Sequence, residues 1–104
     1  MATIKLKISE RKIAQFCRKH GIRKLSFFGS VLREDFRPES DVDVLVEFEP
    51  DARPTLFDMS RMQDELQLIL GHRVDLVSRR GVESSRNVIR RKAILESARD
   101  VYAA

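Results

Sequence analysis

The chain has 104 residues, 42% of them hydrophobic and 35% charged, with a formal net charge of +4. This suits one compact domain spanning 1–104 and leaves no room for separate catalytic and substrate domains. No apolar run approaches the roughly 20 residues that span a bilayer, Met1 to Ile8 lacks the apolar core of a secretion signal, and the lone Cys17 cannot form an internal disulfide, so the expected compartment is the cytoplasm.

Basic residues crowd both ends, at Lys5, Lys7, Arg11, Lys12, Arg18, Lys19, Arg23 and Lys24 and again at Arg79, Arg80, Arg86, Arg90, Arg91 and Lys92. Such an excess favours anionic partners: nucleotides, RNA or an acidic protein surface. A solvated basic surface would leave the same pattern.

In chain order, a first helix is expected from Ser9, with Ile13, Phe16 and Cys17 on one face and Gly21 as its stop. Lys24 to Phe28 reads as a short buried strand, followed at once by Gly29 and Ser30 and then by a charged loop to Ser40. Asp41 to Phe48 is the clearest strand: Val42, Val44 and Val46 fall on one face, and Asp41, Asp43, Leu45 and Glu47 on the other. Thr55 can cap a second helix, with Asp58 as an acidic partner in its first turn. That helix carries Leu56, Met59, Met62, Leu66, Ile69 and Leu70 at steps of three and four and ends at Gly71. Arg73 to Val77 reads as a third strand. A last helix is expected over Glu83 to Tyr102, presenting Val88, Leu95, Ala98 and Tyr102 inward. The resulting fold class is α+β, a small mixed sheet with helices packed mainly on one face.

Asp41 and Asp43 lie two apart on a strand, so both carboxylates point the same way. Adjacent anions stay ionised only with water or a cation nearby. Magnesium fits, being a hard cation that takes oxygen ligands, commonly one or two carboxylates plus substrate phosphates. Asp75 sits between Val74 and Leu76 in the third strand, where a charge is costly unless something pairs with it. If that strand lies beside the second, Asp75 completes a three-carboxylate cluster, and such a cluster can bridge two metal ions about 3.5–4 Å apart. An EF-hand reading fails, because Leu45 holds the third ligand position and no glycine follows it.

Asp-x-Asp alone is common on solvated strand edges. The conjunction with Asp75 and with Gly29-Ser30, eleven residues upstream of Asp41, sharpens it. Glycine lets a backbone approach a phosphate, and the Ser30 hydroxyl can add a hydrogen bond. Arg33 could reach a phosphate oxygen or stand in solvent. Ser40 could orient Asp41, contact a phosphate or simply shape a turn.

The runs Phe28-Gly29-Ser30-Val31-Leu32-Arg33 and Ser40-Asp41-Val42-Asp43-Val44-Leu45-Val46 resemble the signature of the DNA polymerase beta-like nucleotidyltransferases. More narrowly, they are similar to the minimal nucleotidyltransferase (MNT, MntA-like) proteins. The similarity continues through Leu70-Gly71-His72-Arg73-Val74-Asp75-Leu76-Val77 and into Ile94 to Ala98 and Val101-Tyr102. The resemblance implies a palm-like mixed sheet with the acidic strands adjacent. It implies two Mg2+ ions held by Asp41, Asp43 and Asp75, with ATP as donor. It implies nucleotide contacts from Gly29 and Ser30, and Arg33 and Ser40 fall beside them. It further implies a HEPN toxin as partner, neutralised by transfer of AMP to one of its hydroxyls, so that the chain acts as the antitoxin of a toxin–antitoxin pair.

The alternatives are a binding-only antitoxin with an unused active site, a nucleotidyltransferase of a small molecule, and a basic nucleic-acid-binding module. The last is disfavoured: there is no helix-turn-helix, zinc pattern or interleaved aromatic platform, with only six Phe and one Tyr. A homo-oligomer is compatible with all of these readings.

Overall fold

The structure is a computed structural model and describes residues 8–32, 37 and 39–104. The first helix, α1 (Glu10–His20), starts at Ser9, whose hydroxyl accepts a hydrogen bond from the Lys12 amide at 3.3 Å. Glu10 in its first turn and Arg18, Lys19 and His20 in its last complement the helix dipole. Ile13, Phe16 and Cys17 are its buried face, and Gly21 ends it.

Strand β1 (Ile22–Phe28) follows and runs into a single-turn 3-10 helix, Gly29–Leu32. Strand β2 (Val42–Phe48) leads to α2 (Leu56–Leu70), which opens with a full capping box. The Thr55 hydroxyl accepts from the Asp58 amide at 3.1 Å, and the Asp58 carboxylate accepts from the Thr55 amide at 2.8 Å. Strand β3 (Val74–Ser78) comes next.

The four-stranded sheet has the order β3-β2-β1-β4. Strand β1 is antiparallel to both β2 and β4, while β2 and β3 are parallel. The crossover that parallel strands require is supplied by α2. On one face Leu25, Phe27, Val42, Val44 and Val46 pack with Ile13 and Phe16 of α1 and Met62 and Leu66 of α2. Each large side chain fully buried there contributes about 1.5–3 kcal/mol. On the other face Phe28 and Leu45 pack with Val82 and Ile94. The two long helices thus share one face, as expected of this fold class, and two short ones cover part of the other.

The C-terminal fifth departs from expectation. In place of one helix over Glu83 to Tyr102 there are α3 (Arg79–Glu83), α4 (Val88–Ser97) and a fourth strand, β4 (Arg99–Ala103). Ala98 is extended (φ −60°, ψ 137°) and breaks the helix. The free edge of β1 then captures the chain, with Ser26 opposite Asp100. The buried Ser26 hydroxyl donates to the Asp100 carboxylate at 2.6 Å, which fixes the register. Val82 and Ile94 are buried, Leu95, Ala98 and Tyr102 pack partly buried against the core as expected, and Val88, expected inside, is exposed. Among the described residues, no helix is long and apolar enough to cross a membrane.

Candidate active site

The corner where β1 ends and β2 begins brings the glycine turn onto an aspartate. Phe28 is the register partner of Asp43, so the next residue, Gly29, stands against the Asp43 side chain. A Cβ built on Gly29 would overlap the Asp43 Oδ2 and lie 3.2 Å from its Cγ. Gly29 also has φ +75°, a backbone conformation that L side chains disfavour. Two independent reasons therefore keep this position a glycine, and both leave the Asp43 carboxylate room at the surface.

Register supplies the second acid. In the parallel pair Asp43 stands opposite Asp75, and neighbouring strands lie about 4.8 Å apart. Side chains at paired positions point to the same side of the sheet, so the two carboxylates share a face. Asp41 precedes Asp43 by two residues and falls on the same side by strand alternation. The adjoining Val42 amide donates to the Arg73 carbonyl at 2.8 Å, tying the start of β2 to the start of β3. Asp41 is exposed and Asp43 half-buried.

Asp75 is also exposed, because β3 is an edge strand of the sheet. The expected cost of a charge between Val74 and Leu76 is therefore not incurred: water reaches the carboxylate. What remains of that expectation is the juxtaposition with Asp43. Among the described residues no three His, Cys, Asp or Glu side chains are gathered into a metal-holding group. The acids are aligned by backbone register along one end of one face.

Comparison with known proteins bears on this arrangement. Residues 10–101 match the family described as nucleotidyltransferase domain. The chain belongs to that family. It is 38% identical over 66 residues to the protein adenylyltransferase MntA of Thermococcus cleftensis, a match that covers 64% of this chain and 65% of that protein, just under two thirds of its length. It is similar to a solved structure assigned as a minimal nucleotidyltransferase, with 37% identity, a TM-score of 0.66 and 86% of each chain covered. The fold is shared with the MNT antitoxin solved in complex with tri-AMPylated Shewanella oneidensis HEPN toxin, with a TM-score of 0.61, 18% identity, and 91% of this chain and 70% of that one covered.

Other features of this nucleotidyltransferase were not singled out from its sequence. The Gln67 side-chain carbonyl accepts from the Val74 amide at 3.0 Å, and that of Gln63 accepts from the Leu76 amide at 3.2 Å. These amides flank Asp75 on the outer side of the edge strand. Two glutamines four apart on a helix were legible, but not that they would face a strand edge.

The remaining expected site residues fare differently. The Ser40 hydroxyl accepts from the Arg37 amide at 3.2 Å, and the Ser40 amide donates to the Arg37 carbonyl at 2.9 Å, so Ser40 shapes the turn before Asp41. Ser30 lies in the 3-10 turn beside Gly29. Arg33 lies outside the described residues. Cys17 is no alternative nucleophile: burial pushes its thiol up to about 12, Arg18 countering only in part.

A cavity of about 640 Å3 opens elsewhere, where β2 and β3 end. Val46, Phe48 and Met59 line it together with Arg23, Arg53 and Arg79. Arg79 is engaged there by Glu47 at 3.6 Å and Glu83 at 3.7 Å. The three aspartates stand at the opposite ends of the same strands. Chemistry rather than concavity therefore marks the candidate site.

Proposed function

We propose that this nucleotidyltransferase transfers AMP from ATP to a hydroxyl of a partner HEPN toxin, and so acts in the cytoplasm as the antitoxin of the pair. The observation that carries the reading is the placement of Asp43 against Gly29 on one side and opposite Asp75 on the other. The similarity to an MntA adenylyltransferase and the shared fold of an MNT antitoxin solved with its HEPN toxin support the choice of nucleotide and partner.

Asp41, Asp43 and Asp75 would hold two Mg2+ ions. The donor types fit: all are anionic oxygens, Asp41 and Asp75 are exposed and Asp43 half-buried, and the missing Cβ at Gly29 is what lets the Asp43 carboxylate take its place. Bound magnesium would favour ionisation of the attacking hydroxyl and offset charge on the phosphates.

The chain's own residues position the reaction. The Gly29 and Ser30 backbone would cradle the triphosphate, with Arg33 and Ser40 nearby in sequence. The acceptor oxygen bonds to the α-phosphorus, the bond from that phosphorus to the pyrophosphate oxygen breaks, and the hydroxyl proton passes to water. No side-chain nucleophile is needed.

The test is co-expression with a HEPN protein from the same genome, followed by intact-mass spectrometry. The partner should be heavier by AMP with the wild-type chain and unmodified with Asp43→Asn. A partner that is inhibited yet unmodified by the wild type would favour the binding-only antitoxin.

A further inference from the structure

Three sides of α2 are accounted for by contacts. Met62, Leu66 and Leu70 are buried against the sheet. Glu65 holds α1 through Lys19 at 3.0 Å and His20 at 2.6 Å. Gln63 and Gln67 hold the outer edge of β3. The fourth side carries Phe57, Arg61, Asp64 and Leu68, spaced i, i+4, i+7 and i+11, which is one stripe at 3.6 residues per turn. Phe57 is 79% and Leu68 87% exposed, and Arg61 and Asp64 are exposed between them. Phe57 and Leu68 stand about 16 Å apart on this stripe, two separate apolar points with the two charges between them.

The order of chemistry along the stripe is apolar, cation, anion, apolar. Read in the opposite direction it is apolar, anion, cation, apolar. The stripe is thus complementary to an inverted copy of itself. If two α2 helices pack antiparallel about a two-fold axis between Arg61 and Asp64, Phe57 meets Leu68 of the other copy at both ends. Arg61 meets Asp64 of the other copy twice at the centre. A two-fold interface requires this reciprocity, in which residue i contacts j and j contacts i. A random exposed helix face has no reason to satisfy it. Among the described residues neither Arg61 nor Asp64 makes a salt bridge within the chain, although Arg61 lies near enough to Asp58 to help lower its carboxyl.

We propose that this face binds a second copy of the chain, forming a two-fold dimer through antiparallel α2 helices. The inference is independent of the nucleotidyl-transfer reading. It carries one consequence for it: α2 covers the sheet face opposite the aspartates, so pairing leaves both candidate sites open and turned away from each other. The contact is a single helix pair, with helix axes about 8–10 Å apart, and its dimer is concentration-dependent.

The experiment is sedimentation equilibrium of the full chain over micromolar to millimolar concentrations, with circular dichroism melts to verify that each variant folds. The wild type should move from one chain mass toward two. Phe57→Lys and Leu68→Lys should remain monomeric. Arg61→Asp alone and Asp64→Arg alone each set like charges against each other and should weaken the dimer about tenfold or more. The double exchange Arg61→Asp with Asp64→Arg should restore it, and an equimolar mixture of the two single variants should pair with each other. A wild type that stays monomeric at millimolar concentration overturns the proposal. So does failure of both the double exchange and the mixture to recover the dimer, or a stripe whose substitution blocks only the binding of a HEPN partner.

Discussion

Gly29 and Asp43 meet across the corner of β1 and β2 with no room for a methyl group between them. The first prediction tests that contact. Gly29→Ala introduces a left-handed strain of about 1–2 kcal/mol and, in addition, displaces the Asp43 carboxylate. Gly71 provides the control. It has φ +70°, but a Cβ there would meet nothing within 4 Å, so Gly71→Ala suffers strain alone. The expected outcome is about 1 kcal/mol lost with transfer retained for Gly71→Ala, and a larger loss with transfer abolished for Gly29→Ala. Thermal melts and an AMP-transfer assay read both. Full activity in Gly29→Ala would remove this corner from the candidate site.

Asp75 separates catalysis from stability. It is exposed on an edge strand, so Asp75→Ala should change stability by no more than about 0.5 kcal/mol, as ordinary surface substitutions do. Transfer should fall by about a hundredfold or more if the carboxylate acts beside Asp43. Asp41→Asn and Asp43→Asn should likewise leave the melt intact and abolish transfer, an amide being a neutral and weaker ligand for a hard cation. An Asp75→Ala protein with wild-type turnover would reduce the candidate site to two acids.

Much of this arrangement was legible because local chemistry and tertiary structure agree. The alternation of Val42, Val44 and Val46 gave β2, and with it the side on which Asp41 and Asp43 stand. Thr55 and Asp58 gave the start of α2, and Gly71 its end. Adjacency of β2 and β3 remained conditional, since a sequence pattern states which face a residue takes but not which strand lies beside it. The C-terminal segment was misread because Val101 and Tyr102 suit either a helix face or a strand. The decision there is made by an unpaired β1 edge and by Ser26 reaching Asp100 across 74 positions of sequence. The cost assigned to Asp75 was misjudged for the same reason: exposure depends on β3 being at the edge, which only the sheet order shows.

The junction of α1 and α2 predicts a pH dependence. Burial works to raise the Glu65 carboxyl, but the hydrogen bonds from His20 and Lys19 outweigh it and hold it below its ordinary value of 4.5. A carboxyl depressed in the folded state contributes stability that is fully present above its unfolded pKa and is lost as pH falls through the lower, folded one. Stability should therefore decline as the pH drops below about 4.5. Glu65→Gln should flatten that part of the decline and cost about 1 kcal/mol at neutral pH, the scale of a partly exposed ion pair. Urea unfolding from pH 3 to 7 measures it, and an unchanged slope for Glu65→Gln would assign the acid sensitivity to other carboxylates.

The last prediction concerns how Asp75 is held in register. Gln67 and Gln63 are one helical turn apart, a rise of about 6.0 Å, and the Val74 and Leu76 amides they receive are two strand residues apart, about 6.6 Å. The two repeats match, so α2 stands where a fifth strand would pair with the outer edge of β3. It satisfies amides that would otherwise offer the strand to another chain. Each side-chain bond should be worth about 0.5–1.5 kcal/mol, and Gln63→Ala or Gln67→Ala should lose that amount. The double variant should lose more and should loosen β3 alone. Amide hydrogen exchange should then speed up at Val74 and Leu76 while the β1–β2 ladder stays protected. Transfer should fall with it, because Asp75 lies between the two released amides and keeps its place opposite Asp43 only while β3 holds its register. Unchanged exchange at Val74 and Leu76 in the double variant would show that the β2 ladder alone fixes the strand, and the glutamines would then be surface residues without a positioning role.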